Sequence, residues 1–324
     1  MKNWEELRLI KSIRDLAGKK GKSVLLGIGD DTAVVKTPAK SGLLYTVDSI
    51  VDGIHFLGHL NRWASAGKRA IGAAISDIAA MGGLPLYTML SLFLPEDFPL
   101  RHINAFMNGF IDRVHEYGIA LIGGNITATR GSFAADTVVI GMTRNGMFVS
   151  RSGAKDGDLV CMAGVTGEAM AGLDLLMLKK NRLYPALIKK YLEPAPMVKE
   201  SIRITDSIAP NSMIDVSDGL VQDLSHILDE SKTGAILDLD QIPISGGVKY
   251  TAKLTGKSPY DYVLSGGDDY VLLFTVPEKR YKGYVDSTRI YTIGRITKRE
   301  GISFLRGGRK IDLKLKIRGY VHNG

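Results

Sequence analysis

A single cysteine, Cys161, is the only thiol in this 324-residue chain. One cysteine cannot close an internal disulfide, and no Cys/His cluster has the spacing of a zinc site. Its position inside the apolar run Leu159–Ala163 reads as a buried strand residue. Long apolar runs are missing as well. The longest, Leu84 to Leu94, contains Pro85 and is too short to cross a bilayer as a helix. The first residues, Met1-Lys2-Asn3-Trp4-Glu5-Glu6, are charged and carry no apolar signal region, so the expectation is a soluble, cytoplasmic protein without a membrane partner. No Gly-x-Ser-x-Gly nucleophile elbow is present. The two Gly-Lys-Ser tripeptides, at Gly21 and Gly256, lack the glycine five positions upstream that a Walker A loop requires. Gly27-Ile28-Gly29-Asp30-Asp31-Thr32 lacks the third glycine of a dinucleotide fingerprint, and its carboxylates would repel a pyrophosphate unless a cation intervened. The standard nucleotide-binding folds are therefore disfavoured.

The formal net charge is +8, but apart from Lys19-Lys20-Gly21-Lys22 and the last third the basic residues are scattered. A nucleic-acid partner ranks last on that pattern; a basic surface that recruits anionic metabolites fits it better. Hydrophobic residues at 45% and charged residues at 23% are ordinary for a globular chain, and its length suggests two domains. The segment Arg144 to Asp158, rich in Gly, Ser and charge, places the boundary, giving domains 1–144 and 145–324.

What the chain does have is a recurring loop grammar. Gly27-Ile28-Gly29-Asp30-Asp31 is echoed in Thr46-Val47-Asp48-Ser49, Ser76-Asp77, Asp215-Val216-Ser217-Asp218-Gly219 and Ser265-Gly266-Gly267-Asp268-Asp269. Each sets a small or hydroxylated residue beside Asp at the end of an apolar run. Short carboxylates on rigid turns suit a hard cation, and five such loops suggest a shared acidic site loaded with several magnesium ions. Magnesium keeps waters and binds substrate phosphates, so a polyphosphate co-substrate is implied. Arg151 is the candidate for phosphate oxygens, and Gly123-Gly124-Asn125-Ile126-Thr127, following an apolar strand, could offer backbone N–H groups. Ser217 could cap the helix after it or present that helix terminus to an anion. Asp77 lies in a helix of small residues, where a carboxylate needs a partner or a metal. His55, by side-chain physics alone, reads as a satisfied strand histidine, and the remaining histidines, His226 among them, as solvated or capping groups.

Periodicity predicts helices over residues 4–17, 64–81, 101–117, 167–180 and 218–230, and a helical pair over 184–205. Strands are predicted at Val24–Leu26, 33–35, 43–47, 86–94, 119–122, 137–142, Leu159–Ala163, 213–216, 235–239 and 270–276, with short β elements beyond. Alternation in both halves predicts an α/β (or α+β) chain, and both halves run strand, Asp loop, helix.

Taken in order, the motifs Gly27–Asp31, Thr46–Phe56, Ser76–Gly82, Gly123–Thr127, Arg151–Gly157, Ile214–Leu220 and Leu264–Phe274 resemble the thiamine-monophosphate kinase family of the aminoimidazole-ribonucleotide-synthetase-like superfamily. The resemblance implies a two-domain α/β fold whose N-terminal strands pair across a homodimer. It also implies ATP-dependent phosphorylation of thiamine monophosphate to thiamine diphosphate. By the same resemblance Asp30, Asp31, Thr46, Val47, Asp48, Asp77, Asn125, Asp215 and Asp218 are magnesium-site residues. Gly124, Asn125, Arg151 and Ser217 are ATP contacts, and His55, Asp268 and Tyr320 are substrate contacts. The family usually has Asp at Asn125 and Glu at Asp268, which implies weaker metal binding at the first and a shifted grip on the thiamine end at the second. Sister enzymes with a cysteine near either terminus do not fit, because Cys161 is alone. The alternatives are an aminoimidazole-ribonucleotide-synthetase-like enzyme and a non-catalytic nucleotide-binding relative.

Overall fold

The computed structural model describes residues 24–26, 29–37, 41–60, 62–180, 182–282 and 289–312. The helix expected over 4–17 and the candidate Tyr320 lie outside them. The chain divides into two compact units between Phe148 and Val149, each with a mixed sheet.

In the first unit the strands are β1 (Val24–Leu26), β2 (Ala33–Lys36), β3 (Gly42–Val51), β4 (Leu84–Pro95), β5 (Ala120–Thr129) and β6 (Ala134–Met142). They lie in the order β1-β2-β3-β6-β4-β5, antiparallel except for β4 with β5. Burial alternates along β6 residue by residue, as expected when one face meets a core and the other does not. Among the described residues the helices of this unit are α1 (Trp63–Ala80) and α2 (Leu100–Glu116).

Helix α1 is built almost wholly from small and β-branched residues, and Ile71, Ile75 and Ile78 are fully buried along it. Each such burial is worth about 2 kcal/mol. Its end is fixed by Gly82 at φ 71°, whose N–H reaches Ala79 O while Gly83 N–H reaches Ile78 O. This is the Schellman pattern that glycine permits. The stop lies just ahead of β4, so a carboxylate one turn before it, Asp77, is held at a fixed height on the helix.

In the second unit the strands are β7 (Leu159–Ala163), β8 (Ser212–Val216), β9 (Gly234–Asp238), β10 (Val271–Val276), β11 (Ile290–Thr297), β12 (Gly301–Arg306) and β13 (Arg309–Ile311). Their order is β13-β12-β9-β11-β7-β10-β8, and only β9 with β12 is parallel. Strands β7, β8 and β10 are buried at every residue, which explains their continuous apolar runs. The described helices are α3 (Glu168–Met177), α4 (Pro185–Leu192), α5 (Val198–Ser207), α6 (Leu220–Ser231), α7 (Gly246–Thr255), α8 (Pro259–Ser265) and the short α9 (Glu278–Tyr281).

Helices α7 and α8 are absent from the periodicity reading. Their ends were nevertheless written in the sequence: Ser245 caps α7, and Ser258 with Asp261 forms a capping box on α8 around Pro259. Gly256 ends α7 at φ 72°, so Gly256-Lys257-Ser258 is a helix stop followed by a helix start. Lys257 Nζ pairs with Asp174 at 2.7 Å.

Cys161 is fully buried in β7, packed with Met213, Leu272 and Phe274. Burial pushes its thiol pKa up to about 12, so the nucleophilic thiolate is not formed near neutral pH. A chromogenic disulfide reagent should leave the native protein unlabelled and titrate one thiol after denaturation.

Asp269 anchors the start of α3 from inside the protein. Its two oxygens accept the backbone N–H groups of Gly167 and of Ala169, the latter at 2.9 Å. Burial pushes its pKa up to about 7 against the pull of those donors. An unfolded Asp titrates near pH 4, so between about pH 4 and 7 the folded chain holds a proton that the unfolded chain has lost. The stability from this group is full below about pH 4 and is lost as pH rises through about 7, a change of a few kcal/mol. Urea midpoints should fall from pH 5 to pH 8 in the parent and change less in Asp269→Asn.

Candidate active site

The acidic motif of the first unit converges on the end of α1. Thr46, buried in β3 on the face that α1 covers, donates its hydroxyl to Asp77 Oδ2 at 2.5 Å. This supplies the partner that a carboxylate in a small-residue helix needs. Asp31, in the turn after Gly29 (φ 119°), brings a carboxylate oxygen within 4.8 Å of one on Asp77. Asp30 Oδ1 accepts the Asp31 N–H at 2.9 Å and so shapes the turn. Asp48 stands two residues beyond Thr46 and accepts the N–H of Ser49 at 2.7 Å. Val47 points to the uncovered face, 62% exposed, so only its main-chain carbonyl can serve a cation.

The donors are all oxygen, the chemistry of a hard cation such as magnesium. Two carboxylates this close repel unless positive charge lies between them. Thr32 Oγ1, buried directly after Asp31, has no hydrogen-bond partner among the described residues. An orphaned hydroxyl beside paired carboxylates fits a site that takes an ion and its waters.

Asn125 is not brought to this cluster within one chain. Residues 123–127 do not form a loop after a strand, as expected; they are the middle of β5, paired parallel with β4. The two glycines hid the strand from a propensity reading. Gly124 is required there because a Cβ would sit 2.0 Å from Leu90 O of β4. Register places Ser49, Asp136, Ser91 and Asn125 in one row across the uncovered face, whereas Thr46 lies on the covered face. Strands β3 and β5 are three places apart in the sheet, about 14 Å.

His55 lies in a turn after β3 rather than in a strand. Its Nδ1 accepts the Val51 N–H at 3.0 Å, which leaves the proton of the neutral ring on Nε2 as a donor.

In the second unit, Asp215 is the penultimate residue of β8, and Ser217-Asp218-Gly219 turns the chain into α6. Ser217 is not the helix cap. That place belongs to Gly219 at φ 127°, where a Cβ would press on Ser265. The Ser217 carbonyl instead accepts the Asp268 N–H at 2.7 Å, stitching two Asp loops together. Asp268 and Tyr270 both hold positive φ, 66° and 51°, a strain that the ladder at Ser217 and Val216 maintains. The Tyr270 hydroxyl donates to Asp268 Oδ1 at 3.3 Å.

Arg151 is held through its neighbours. Met213 N–H bonds Ser150 O at 3.0 Å, and Ser231 Oγ accepts the N–H groups of Gly153 and Ala154 at 3.1 Å each. His226 is half-buried rather than solvated, and burial with the Arg151 charge pulls its pKa down to about 4. Asp218, Asp223 and His226 bring ligand atoms within 4.8 Å of one another. The sequence reading missed Asp223 and undervalued His226, although 218, 222, 223 and 226 share the spacing of one helix face.

Residues 29–147 match the family AIR synthase related protein, N-terminal domain, and residues 155–306 match AIR synthase related protein, C-terminal domain. The thiamine-monophosphate kinase of Aquifex aeolicus is 36% identical over 290 residues, covering 89% of this chain and 91% of that protein. The thiamine-monophosphate kinase of Escherichia coli K12 is 35% identical over 331 residues and covers 98% of each. Among solved structures, AaThiL complexed with AMPPCP and TMP superposes with a TM-score of 0.85 at 33% identity, over 97% of both chains. With likeness of this degree along nearly the whole length, the chain belongs to the thiamine-monophosphate kinase family.

Proposed function

We propose that this chain makes thiamine diphosphate by direct in-line transfer of the γ-phosphoryl group of ATP to thiamine monophosphate, assisted by magnesium. The reaction itself follows from the family. The observation that carries it is the oxygen-only cluster of Asp31, Thr46 and Asp77 beside the orphaned Thr32 hydroxyl.

The acceptor is a phosphate oxygen, already anionic near neutral pH because its second pKa is about 6. No general base is needed, in keeping with a site of carboxylates and one arginine. The difficulty is bringing two anions together in line. Magnesium, when bound, supplies charge neutralisation and alignment of the phosphates. Asp30, Asp31, Thr46, Asp48, Asp77, Asp215, Asp218 and the Val47 carbonyl would hold it. Arg151 offers a forked donor to phosphate oxygens, with Gly124, Asn125 and Ser217 as further ATP contacts. By the family resemblance His55, Asp268 and Tyr320 would contact the acceptor, His55 through its Nε2 donor and Asp268 through its carboxylate. The domains are assigned as 1–144 for ATP, metal and dimerisation and 145–324 for the second α/β half.

Dimerisation is part of the reading. Strand β5 is an edge strand, exposed along almost its whole length and without lysine or proline to guard it. Ile122 and Ile126 on it are 56% and 68% exposed. A second copy pairing there covers them. A cytoplasmic location fits, and no described helix is long and apolar enough to cross a membrane. Asn125 favours a second reading, nucleotide binding without turnover. Single-turnover incubation with γ-labelled ATP tests the first: label should pass to thiamine diphosphate with none retained on denatured protein. Covalently bound label would overturn direct transfer.

A further inference from the structure

Asp223 is the residue of the second unit that the proposed chemistry leaves unused, and it is costly to keep. It is 2% exposed, one turn into α6, and burial together with the neighbouring Asp218 and Asp215 charges holds its carboxyl well above the usual range. A carboxylate that only filled space there would be better replaced by an apolar residue. Its contacts show what it does. Oδ2 accepts the backbone N–H of Asp218 at 3.1 Å and of Gly219 at 3.0 Å. On the same helical turn Gln222 Nε2 donates to Asp218 Oδ2 at 3.0 Å. Asp218 is thus gripped at its main chain by one residue and at its side chain by the other. The turn needs this grip because Gly219 stands at φ 127° and opens α6 without a side-chain cap. The orphan N–H groups of that helix start would otherwise have to find other acceptors.

We propose that Asp223 is a positioning residue for the phosphoryl transfer: by holding the Asp218 and Gly219 amides it fixes the Ser217-Asp218 turn in the shape that meets magnesium and ATP. The inference rests on the proposed function for its kinetic effect and on geometry alone for its structural one. Because Asp223 acts through amides, an acceptor oxygen at that point suffices and a negative charge is not required.

The test compares Asp223→Ala and Asp223→Asn with the parent in thiamine diphosphate formation, titrating magnesium and each substrate. Asp223→Ala should raise the magnesium concentration for half-activation and the KM for ATP by 10-fold or more, and change the KM for thiamine monophosphate by less than 3-fold. Asp223→Asn, which retains an acceptor oxygen, should recover both to within about 3-fold. A purely structural role would lower the yield or the melting temperature of Asp223→Ala and leave magnesium half-activation unmoved, which overturns the proposal. Equal damage from the two variants also overturns it, because charge would then be the property in use. If Asp223→Ala does not fold, amide hydrogen exchange on the parent protein decides. Asp218 and Gly219 amides should be protected at least 100-fold relative to an exposed amide; exchange at the exposed rate overturns the proposal. If the parent makes no thiamine diphosphate, the functional reading fails, and the exchange measurement still judges the geometry.

Discussion

Asp77→Ala should cut thiamine diphosphate formation by at least about 100-fold, the scale on which a single preorganised electrostatic group acts in a transition state. The carboxylate stands one turn before the glycine stop of α1, accepts the Thr46 hydroxyl at 2.5 Å, and comes within 4.8 Å of Asp31. Alanine removes it without disturbing the helix, since alanine is the strongest helix former and Asp77 is only half-buried. Thermal stability should therefore stay close to the parent while turnover collapses. Excess magnesium should recover little, because the two carboxylates act as a pair. Asp77→Asn should fall between, keeping an oxygen and losing the charge. Turnover within 3-fold of the parent in Asp77→Ala would remove this cluster from the chemistry.

The second large effect is on the fold. Helices α1 and α2 cross through glycine on both sides: a Cβ on Gly67 would lie 2.0 Å from Phe106 O, and one on Gly109 would lie 1.8 Å from Ala64 O. No rotamer relieves contacts between a Cβ and a backbone oxygen; the helices have to part. Parting them loosens Phe106, Phe110 and Ile71, all fully buried. Gly109→Ala should cost about 3 kcal/mol, the upper end for overpacking, and lower Tm by roughly 10 °C. Turnover of the folded fraction should fall too, because α1 carries Asp77. A Tm within 2 °C of the parent would mean that the helices adapt without cost.

Where one local signal governed, the sequence reading matched the structure. Helix α1 runs Trp63–Ala80 against an expected 64–81, since small residues set its buried side and Gly82-Gly83 its end. The buried strands β7, β8 and β10 were legible as apolar runs. Failures came where tertiary context overrides local preference. Gly123 and Gly124 read as a loop because glycine disfavours strands, yet at Gly124 the close approach of β4 demands glycine. Of the two expectations for Ser217, a helix cap or an anion contact at the helix terminus, the cap fails because the helix opens at Gly219, while the Ser217 carbonyl accepts the Asp268 N–H. Helices α7 and α8 were missed because their apolar spacing is faint, although Ser245 and Ser258 marked their starts. Of the candidate site, the Asp loops could be read as cation chemistry from residue type alone. The grip of Asp223 on its turn could not, because a carboxylate in the first turn of a helix is ordinary until its partners are seen.

The most direct measurement is an assay of the purified chain with ATP and thiamine monophosphate, in magnesium or in EDTA, resolving the products by chromatography. Thiamine diphosphate and ADP should appear in equal amounts with magnesium, and neither should appear in EDTA. ADP without thiamine diphosphate, or product formed in EDTA, would contradict magnesium-assisted transfer between the two phosphates.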